Sequence, residues 1–503
     1  MQLPLPAPRP TKPNYQLYLI SICFLCAFFL TLVGVLPQRL MPQMTAYFWH
    51  YVVAFAIMVA LAAVGGTWLK AVSDQSVWTH PPFLITVWTI CYGWVLGFYA
   101  FYDTVRITWL IRLFQNEARA LIGGVYIFPF GLAVMWLVYM LMLNAIKNTP
   151  QWLANLGKRE VSMTAIWMIY AVALGSQLLQ LASTGIAIAN DRSQLGMFAS
   201  LWQWLTYLSA LNFLAMVLFI EKAFKEKRSR LPLYIVISIQ LGFGFLSGFM
   251  KPLIWIAIVV FLSIISNGGK IRQYAIAAVF LGVLAVGSVP IAEGIRLQIG
   301  QFNARNVFEV SQAAANAYEN SWGSSTNDGL TQVQYKLFGR QIGIAHIPTV
   351  IYVATPERFE YQGFQKFLAF PFYVIPRAIW SGKPVLVSGV WFNINYLNAH
   401  HSTTSSAAAT YFGEGYMISS WLGVATVAIM LAILLAILQR WVFLARLNAF
   451  YFAMIPAFLD IEGQAAAMFT GIIQLSIFMI IIYAVVTRLF PPAVTKLHRR
   501  AQI

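Results

Sequence analysis

The sequence predicts an all-α polytopic membrane protein of about twelve transmembrane helices, with one large outward-facing loop between spans 9 and 10. Three observations carry this fold class. First, 60% of the 503 residues are hydrophobic and 10% are charged, where a soluble domain carries about 25% charged residues. Second, apolar runs of about 20 residues, the length a helix needs to cross a bilayer, recur along nearly the whole chain. Third, Lys and Arg divide unevenly between alternate connections, as insertion rules require.

Taken in order, residues 1–15 are Pro-rich and predict a disordered cytoplasmic N-terminus. The apolar run that follows is too long for a signal h-region and lacks a small-x-small cleavage site. It reads as an uncleaved first span. Residues 16–292 hold spans 1–9, at about 16–36, 46–69, 83–102, 122–146, 163–189, 198–220, 233–250, 253–267 and 274–292. Residues 293–415 form the large loop. Spans 10–12 fill 416–489, at about 416–438, 447–461 and 464–489, and 490–503 is a basic cytoplasmic tail. Cys23 and Cys26 have C-x-x-C spacing but lie in an apolar run without further ligands, as does Cys91 alone. No internal repeat is apparent, which weighs against inverted-repeat transporters.

With both termini in the cytoplasm, cytoplasmic segments hold 19 of the 33 Lys and Arg, against four acids. The net charge of +17 is therefore a topology signal. It does not point to nucleic acid, and the basic runs face anionic lipid headgroups.

The loop 293–415 is too long to be a simple connection. Within it, FQKFLAFPFYVIPRAIW (364–380) is aromatic-rich and broken by Pro371 and Pro376. It predicts a segment lying at the membrane interface. Arg296, Arg340, Arg377 and Lys383 are outward cations that positive-inside statistics do not require. Each is either a solvated loop charge or a phosphate contact. Arg377 and Lys383 stand out because Pro/Gly turns hold them beside Trp380 and Trp391.

Lys251 sits between two apolar runs in SGFMKP, and Pro252 disfavours helix at that point. It reads equally as a snorkelling lysine or as a functional cation on the face of the big loop. Glu414 in TYFGEGYM has glycines on both sides. It is either a general base desolvated at the interface or a helix N-terminal acid stabilised by the dipole. His400 and His401 have no third ligand at zinc spacing. Asp460 and Glu462, in LDIEGQ, are structural or orient the cations. No Walker A, G-x-S-x-G, H-E-x-x-H or dinucleotide fingerprint is present. No nucleotide, cofactor or metal is expected, so an activated substrate supplies the energy.

The stretch P-R-A-I-W-S-G-K-P, then G-x-W-F-N, a Ser/Thr/Ala-rich run and F-G-E-G-Y leading into a span, resembles the bacterial oligosaccharide repeat-unit polymerases, the Wzy-type O-antigen and exopolysaccharide polymerases. The specific part covers about residues 373–416, and elsewhere only hydropathy matches. The resemblance implies a multi-pass inner-membrane glycosyltransferase. Its substrate is an undecaprenyl-diphosphate-linked oligosaccharide, delivered by a repeat-unit flippase and worked on alongside a chain-length regulator. It implies that Arg377, with Lys383 and Arg296 or Arg340, grips the diphosphate. Glu414 is then the base, with His400 or His401 in reserve, and Trp380, Trp391 and Tyr416 stack on sugars. Relatives carry a Ser-Arg pair where this chain reads SGFMKP, so Lys251 substitutes for the arginine.

Two other readings remain open at this level. An O-antigen ligase or other lipid-linked-sugar glycosyltransferase uses the same charge logic. A transporter or flippase places ionisable residues near mid-membrane, whereas here the charges cluster on one face.

Overall fold

Apolar runs of this length leave one economical way to satisfy their backbone groups, the α-helix. The computed structural model describes residues 45–73, 75–95, 97–101, 121–184, 198–225, 229–246, 250–267, 345–375, 380, 389–397, 409–445 and 447–492, and these are all-helical. Six helices are long and apolar enough to cross a membrane: Thr45–Val72, Ile122–Ala145, Met163–Gln180, Trp204–Phe224, Tyr411–Val442 and Ala465–Leu489. Their outward faces are apolar too. On Thr45–Val72, Trp49, Val53, Ile57 and Val64 are exposed while Tyr47, Tyr51, Phe55 and Met58 are buried. A helix hydrophobic all round is the pattern of a lipid-facing rod.

Shorter apolar helices stand in for several expected spans. The expected span 83–102 is the helix Pro81–Trp88 followed by a π-helix, Thr89–Val95. The expected 233–250 and 253–267 become Leu231–Leu246 and Met250–Ser266. The expected span 447–461 is broken into Asn448–Ala453 and Ile455–Phe458, with Pro456 opening the second piece. It runs beside the last helix, with Phe450 against Tyr483 and Met454 against Ser476. The expected spans 16–36 and 274–292 lie outside the described residues.

The helices pack through close backbone and ring contacts. Gly65 leaves room for the Trp136 ring, whose Nε1 donates to Thr86 Oγ1 at 3.0 Å. At one end of the bundle Arg440 donates through Nε and Nη2 to the Leu143 carbonyl at 3.0 and 2.8 Å, and Ser162 Oγ donates to the Phe490 carbonyl. At the other end lie Lys251, Glu414, Asp460 and Glu462.

The long helix Tyr411–Leu444 is not one rod. Ser419 (φ −159°, ψ 47°) and Ser420 (φ 53°, ψ −146°) break it. A Cβ on Gly415 would lie 2.8 Å from the Gly423 carbonyl oxygen, although eight residues of continuous helix rise about 12 Å. The chain therefore doubles back, with 411–418 folded against the start of 421–444. The straight rod begins after the break, later than the expected 416, and Glu414 and Tyr416 sit on the folded-back arm. Backbone N–H groups of Gln362 and Gly363 donate to the carbonyls of Met417 and Ile418 at 3.0 and 3.1 Å, so a loop seals the break. Gly363 needs φ +90° to do so, a conformation glycine adopts without penalty.

Part of the expected outward-facing loop is buried instead. Ala345–Ala354 forms an apolar helix docked against Thr45–Val72, with His346 Nδ1 2.5 Å from the Tyr47 hydroxyl. The segment expected at the interface forms two short helices, Gln365–Leu368 and Phe370–Tyr373. Phe367 and Phe370 turn inward, while Phe364, Leu368, Phe372 and Ile375 are exposed. That helical spacing makes one continuous apolar stripe.

Candidate functional site

Lys251 is the second residue of Met250–Ser266, with Pro252 next to it. Proline in the first helical turn costs no hydrogen bond, so the helix begins here and does not end. A cation at this position opposes the positive end of the helix dipole and needs carboxylates close by. Asp460 and Glu462 supply them, with Lys251 Nζ 2.6 Å from Asp460 Oδ1 and 3.5 Å from Glu462 Oε2. The second carboxylate is held from behind, where the Tyr92 hydroxyl donates to Glu462 Oε1 at 2.8 Å. Tyr92 lies on the π-helix, whose wider turn redirects side chains, and it stacks on Trp88 at 4.6 Å between ring centroids. A tight turn closed by Gly463 N–H to the Asp460 carbonyl leads into the last helix, Ala465–Leu489.

Glu414 reaches that same helix from the folded-back arm. Its Oε2 accepts the Ala466 N–H at 3.4 Å, and the residue is 7% exposed. The carboxylate thus sits over the positive end of the last helix's dipole. Lys366, on the segment 364–375, lies within electrostatic reach of it. Burial holds the Lys366 ammonium below the usual lysine value of 10.5, and the Glu414 charge opposes that shift. Lys366 Nζ donates to Gln362 Oε1 at 2.5 Å. The Tyr373 phenol is pushed up, by burial first and by Glu414 second. Gln474 ties the segment down further, its Nε2 donating to the Val374 carbonyl at 2.5 Å while its Oε1 accepts from the Tyr207 hydroxyl.

A desolvated carboxylate beside an ammonium and a phenol, under an apolar lid, can take up and release a proton. Of the residues singled out in the sequence, Glu414 and Lys251 share this end of the bundle, joined through the Asp460–Gln464 connection. Trp380 and Trp391 are 37% and 38% exposed, Trp380 edge-on to Phe372 and Trp391 near Phe359 and Tyr396. Tyr416 is 4% exposed and packs among Tyr352, Tyr361 and Trp421, so its ring is spent on the break in the helix. Arg296, Arg340, Arg377, Lys383, His400 and His401 lie outside the described residues. Among the described residues no three His, Cys, Asp or Glu converge as metal ligands.

Sequence reasoning missed three contributors. Tyr92 and Gln474 are polar residues inside apolar runs, a signal that was present but is shared with many interhelical contacts. Lys366 was visible only as one loop cation among several.

Residues 168–445 match a family model described as a domain of unknown function, DUF8712. No curated protein matches the chain, and no solved structure does. Since the match spans more than half of its 503 residues, the chain belongs to the DUF8712 family.

Proposed function

We propose that this protein is a glycosyltransferase that joins lipid-diphosphate-linked oligosaccharide repeat units into a surface polysaccharide on the outer face of a bacterial inner membrane. The observation that carries the reading is buried Glu414 within electrostatic reach of Lys366, which belongs to a segment whose exposed face is an apolar stripe. A lipid-linked donor needs its reacting bond near polar chemistry while its prenyl chain stays in the bilayer. The stripe Phe364, Leu368, Phe372 and Ile375 offers the chain a wetted path.

In this reading Glu414 accepts the proton of the acceptor hydroxyl. The acceptor oxygen bonds to the anomeric carbon as the bond from that carbon to the diphosphate oxygen breaks, and lipid diphosphate leaves. Cations that bind the developing charge more tightly than the ground state lower the barrier. Arg377 follows two residues after Ile375 in sequence. With Lys383, Arg296 and Arg340 it is assigned to the leaving group. Lys251, already paired with Asp460 and Glu462, is assigned to orient that acidic turn. Trp380 and Trp391 are the exposed rings for sugar stacking, and His400 and His401 remain reserve bases. A repeat-unit flippase supplies the donor and a chain-length regulator acts on the product.

The test is purified protein with a synthetic lipid-diphosphate oligosaccharide, without added nucleotide or metal. A ladder of polymer is expected, and its absence with an authentic donor sinks the polymerase reading. Glu414→Gln is expected to slow laddering by roughly 10²–10⁴-fold, the scale of a general base. In a deletion strain, accumulated single repeat units fit a polymerase, whereas accumulated finished polymer fits a ligase.

A further inference from the structure

At the opposite end of the bundle a cavity of about 160 Å³ opens between helix ends. Its lining includes Arg159, Lys222, Glu221, Tyr483, Leu447 and Phe450. Four parts of the chain meet here. Gly157 closes the short helix Gln151–Gly157, pressed so tightly on the Ala445 carbonyl that no side chain fits. Arg159 follows it, its N–H bonded to the Leu156 carbonyl at 3.1 Å. Glu221 and Lys222 come from Leu211–Lys225, and Tyr483 from the last helix, edge-on to Phe450 at 5.0 Å.

Two polar groups there are unspent. Neither the Arg159 guanidinium nor the Tyr483 hydroxyl has a hydrogen-bond or ion-pair partner among the described residues. Yet Tyr483 is only 4% exposed, and Arg159 and Glu221 both lie within electrostatic reach of its hydroxyl. The hydroxyl of a nearly buried tyrosine and a half-buried guanidinium line one space, and both can donate to an acceptor held there. Two cations against one carboxylate favour an anion there, and a guanidinium fork favours a phosphate.

The rest of the wall is apolar, from Leu218, Leu447 and Phe450. The space holds about five waters' share of liquid volume, enough for a phosphate and its ester carbons but not for a whole lipid. Outside it the surface is greasy: Trp152 is 57% exposed on the short helix, and Ile481, Val485 and Leu489 are exposed on the last helix. A ligand with a phosphate head and an apolar body fits this arrangement.

We propose that this cavity binds the phosphate of an anionic phosphate ester, with Arg159, Lys222 and Tyr483 as donors. Glu221 accepts from a hydroxyl on the ligand. The site is separate from the Glu414 end and does not depend on the activity proposed above. The ester is either a membrane phospholipid or a soluble phosphate compound, and the experiment separates the two.

Full-length protein in neutral detergent is titrated with phosphatidylglycerol, phosphatidylcholine or inorganic phosphate and followed by native mass spectrometry and thermal unfolding. One tightly retained phosphatidylglycerol per chain is expected, with phosphatidylcholine held at least tenfold more weakly. Arg159→Gln and Lys222→Gln are each expected to weaken retention about tenfold. Tyr483→Phe keeps the ring against Phe450 and is expected to weaken it about threefold, which serves if a charge variant folds poorly. If millimolar inorganic phosphate displaces the lipid and itself raises the melting temperature, the site reads phosphate alone and a soluble ester is its source. Equal retention of the two lipids with no response to phosphate overturns the proposal. So does undiminished retention by a folded Arg159→Gln protein.

Discussion

Lys251 shows how far one residue's surroundings decide its role. A fully buried pair loses about 3–5 kcal/mol when one partner is removed. Lys251 and Asp460 are each 34% exposed and Glu462 is 11% exposed at the side chain. Lys251→Ala is therefore expected to destabilise by about 2 kcal/mol, less than a fully buried pair loses. Adding Glu462→Gln should return part of that loss, because it removes the uncompensated charge. Thermal unfolding of the single and double variants checks this, and a double variant less stable than the single one contradicts it. The Glu414–Lys366 neighbourhood makes a second prediction with a definite sign. Glu414 raises the Lys366 value against the lowering by burial, so Glu414→Gln moves it lower still. Amine acylation of Lys366, followed by peptide mass spectrometry across pH, should show a midpoint below 10.5 in the wild type. The midpoint should fall further in Glu414→Gln. A midpoint that rises, or stays put, would break the electrostatic link between the two. The sequence already showed Glu414 and Lys251 as odd charges in apolar company. It did not show their partners, because Asp460 and Tyr92 are 209 and 370 residues from the groups they serve or share, and such pairings arise from packing alone.

The broken helix is the element whose behaviour departs most from its hydropathy. The apolar run expected as a span over 416–438 belongs to a broken helix over 411–444, and nothing in a hydropathy pattern reports a reversal. The clue is local: Gly413, Gly415 and Gly423 flank Ser419 and Ser420, and Gly415 and Gly423 are where backbone meets backbone. Ser420 holds φ 53°, a region that costs a non-glycine residue about 1–3 kcal/mol. Ser420→Gly relieves that strain but removes the Ser420 side-chain hydrogen bond with Tyr416, so it should change stability by less than about 1 kcal/mol. A methyl at Gly423 would overlap the Gly415 carbonyl oxygen. Gly423→Ala should destabilise by about 1–3 kcal/mol and loosen the arm carrying Glu414. A melting temperature near the wild type for Ser420→Gly and a clearly lower one for Gly423→Ala are the expected result, and a neutral Gly423→Ala would mean the arm is not packed as described. The interfacial segment was legible as a short, Pro-broken aromatic stretch, and its inward residues Phe367 and Phe370 follow from the same helical spacing. Leu368→Glu puts a charge into the exposed stripe. It is expected to cut brominated-lipid quenching of Trp380 while leaving the melting temperature within about 1 °C, since an exposed site alters little inside.

At the scale of the molecule, the two ends differ in charge. Lys158, Arg159, Lys222, Arg230, Arg440 and Arg488 gather at one end against Glu160 and Glu221, while at the other Glu414, Asp460 and Glu462 stand against Lys251 and Lys366. The positive-inside rule predicts that the first end faces the cytoplasm. Single cysteines at Lys366 and Lys158, in a background without Cys23, Cys26 and Cys91, should separate cleanly in intact cells. A membrane-impermeant maleimide labels position 366 and spares 158, and the opposite pattern inverts the topology. The helical class and most long rods were readable from apolar run length, because the bilayer imposes that length directly. The expected spans 83–102 and 447–461 were not readable as broken pieces, because π-turns and proline interruptions change helix geometry without changing hydropathy.

The apolar stripe of Phe364, Leu368, Phe372 and Ile375 has a kinetic consequence for the activity proposed here. An active site roofed by a lipid-wetted segment meets its donor by lateral diffusion in two dimensions. Its rate then follows the donor's mole fraction in the membrane, not its amount per volume of solution. Diluting the same quantity of donor into more neutral lipid should slow the reaction in proportion, while doubling the aqueous volume should leave it unchanged.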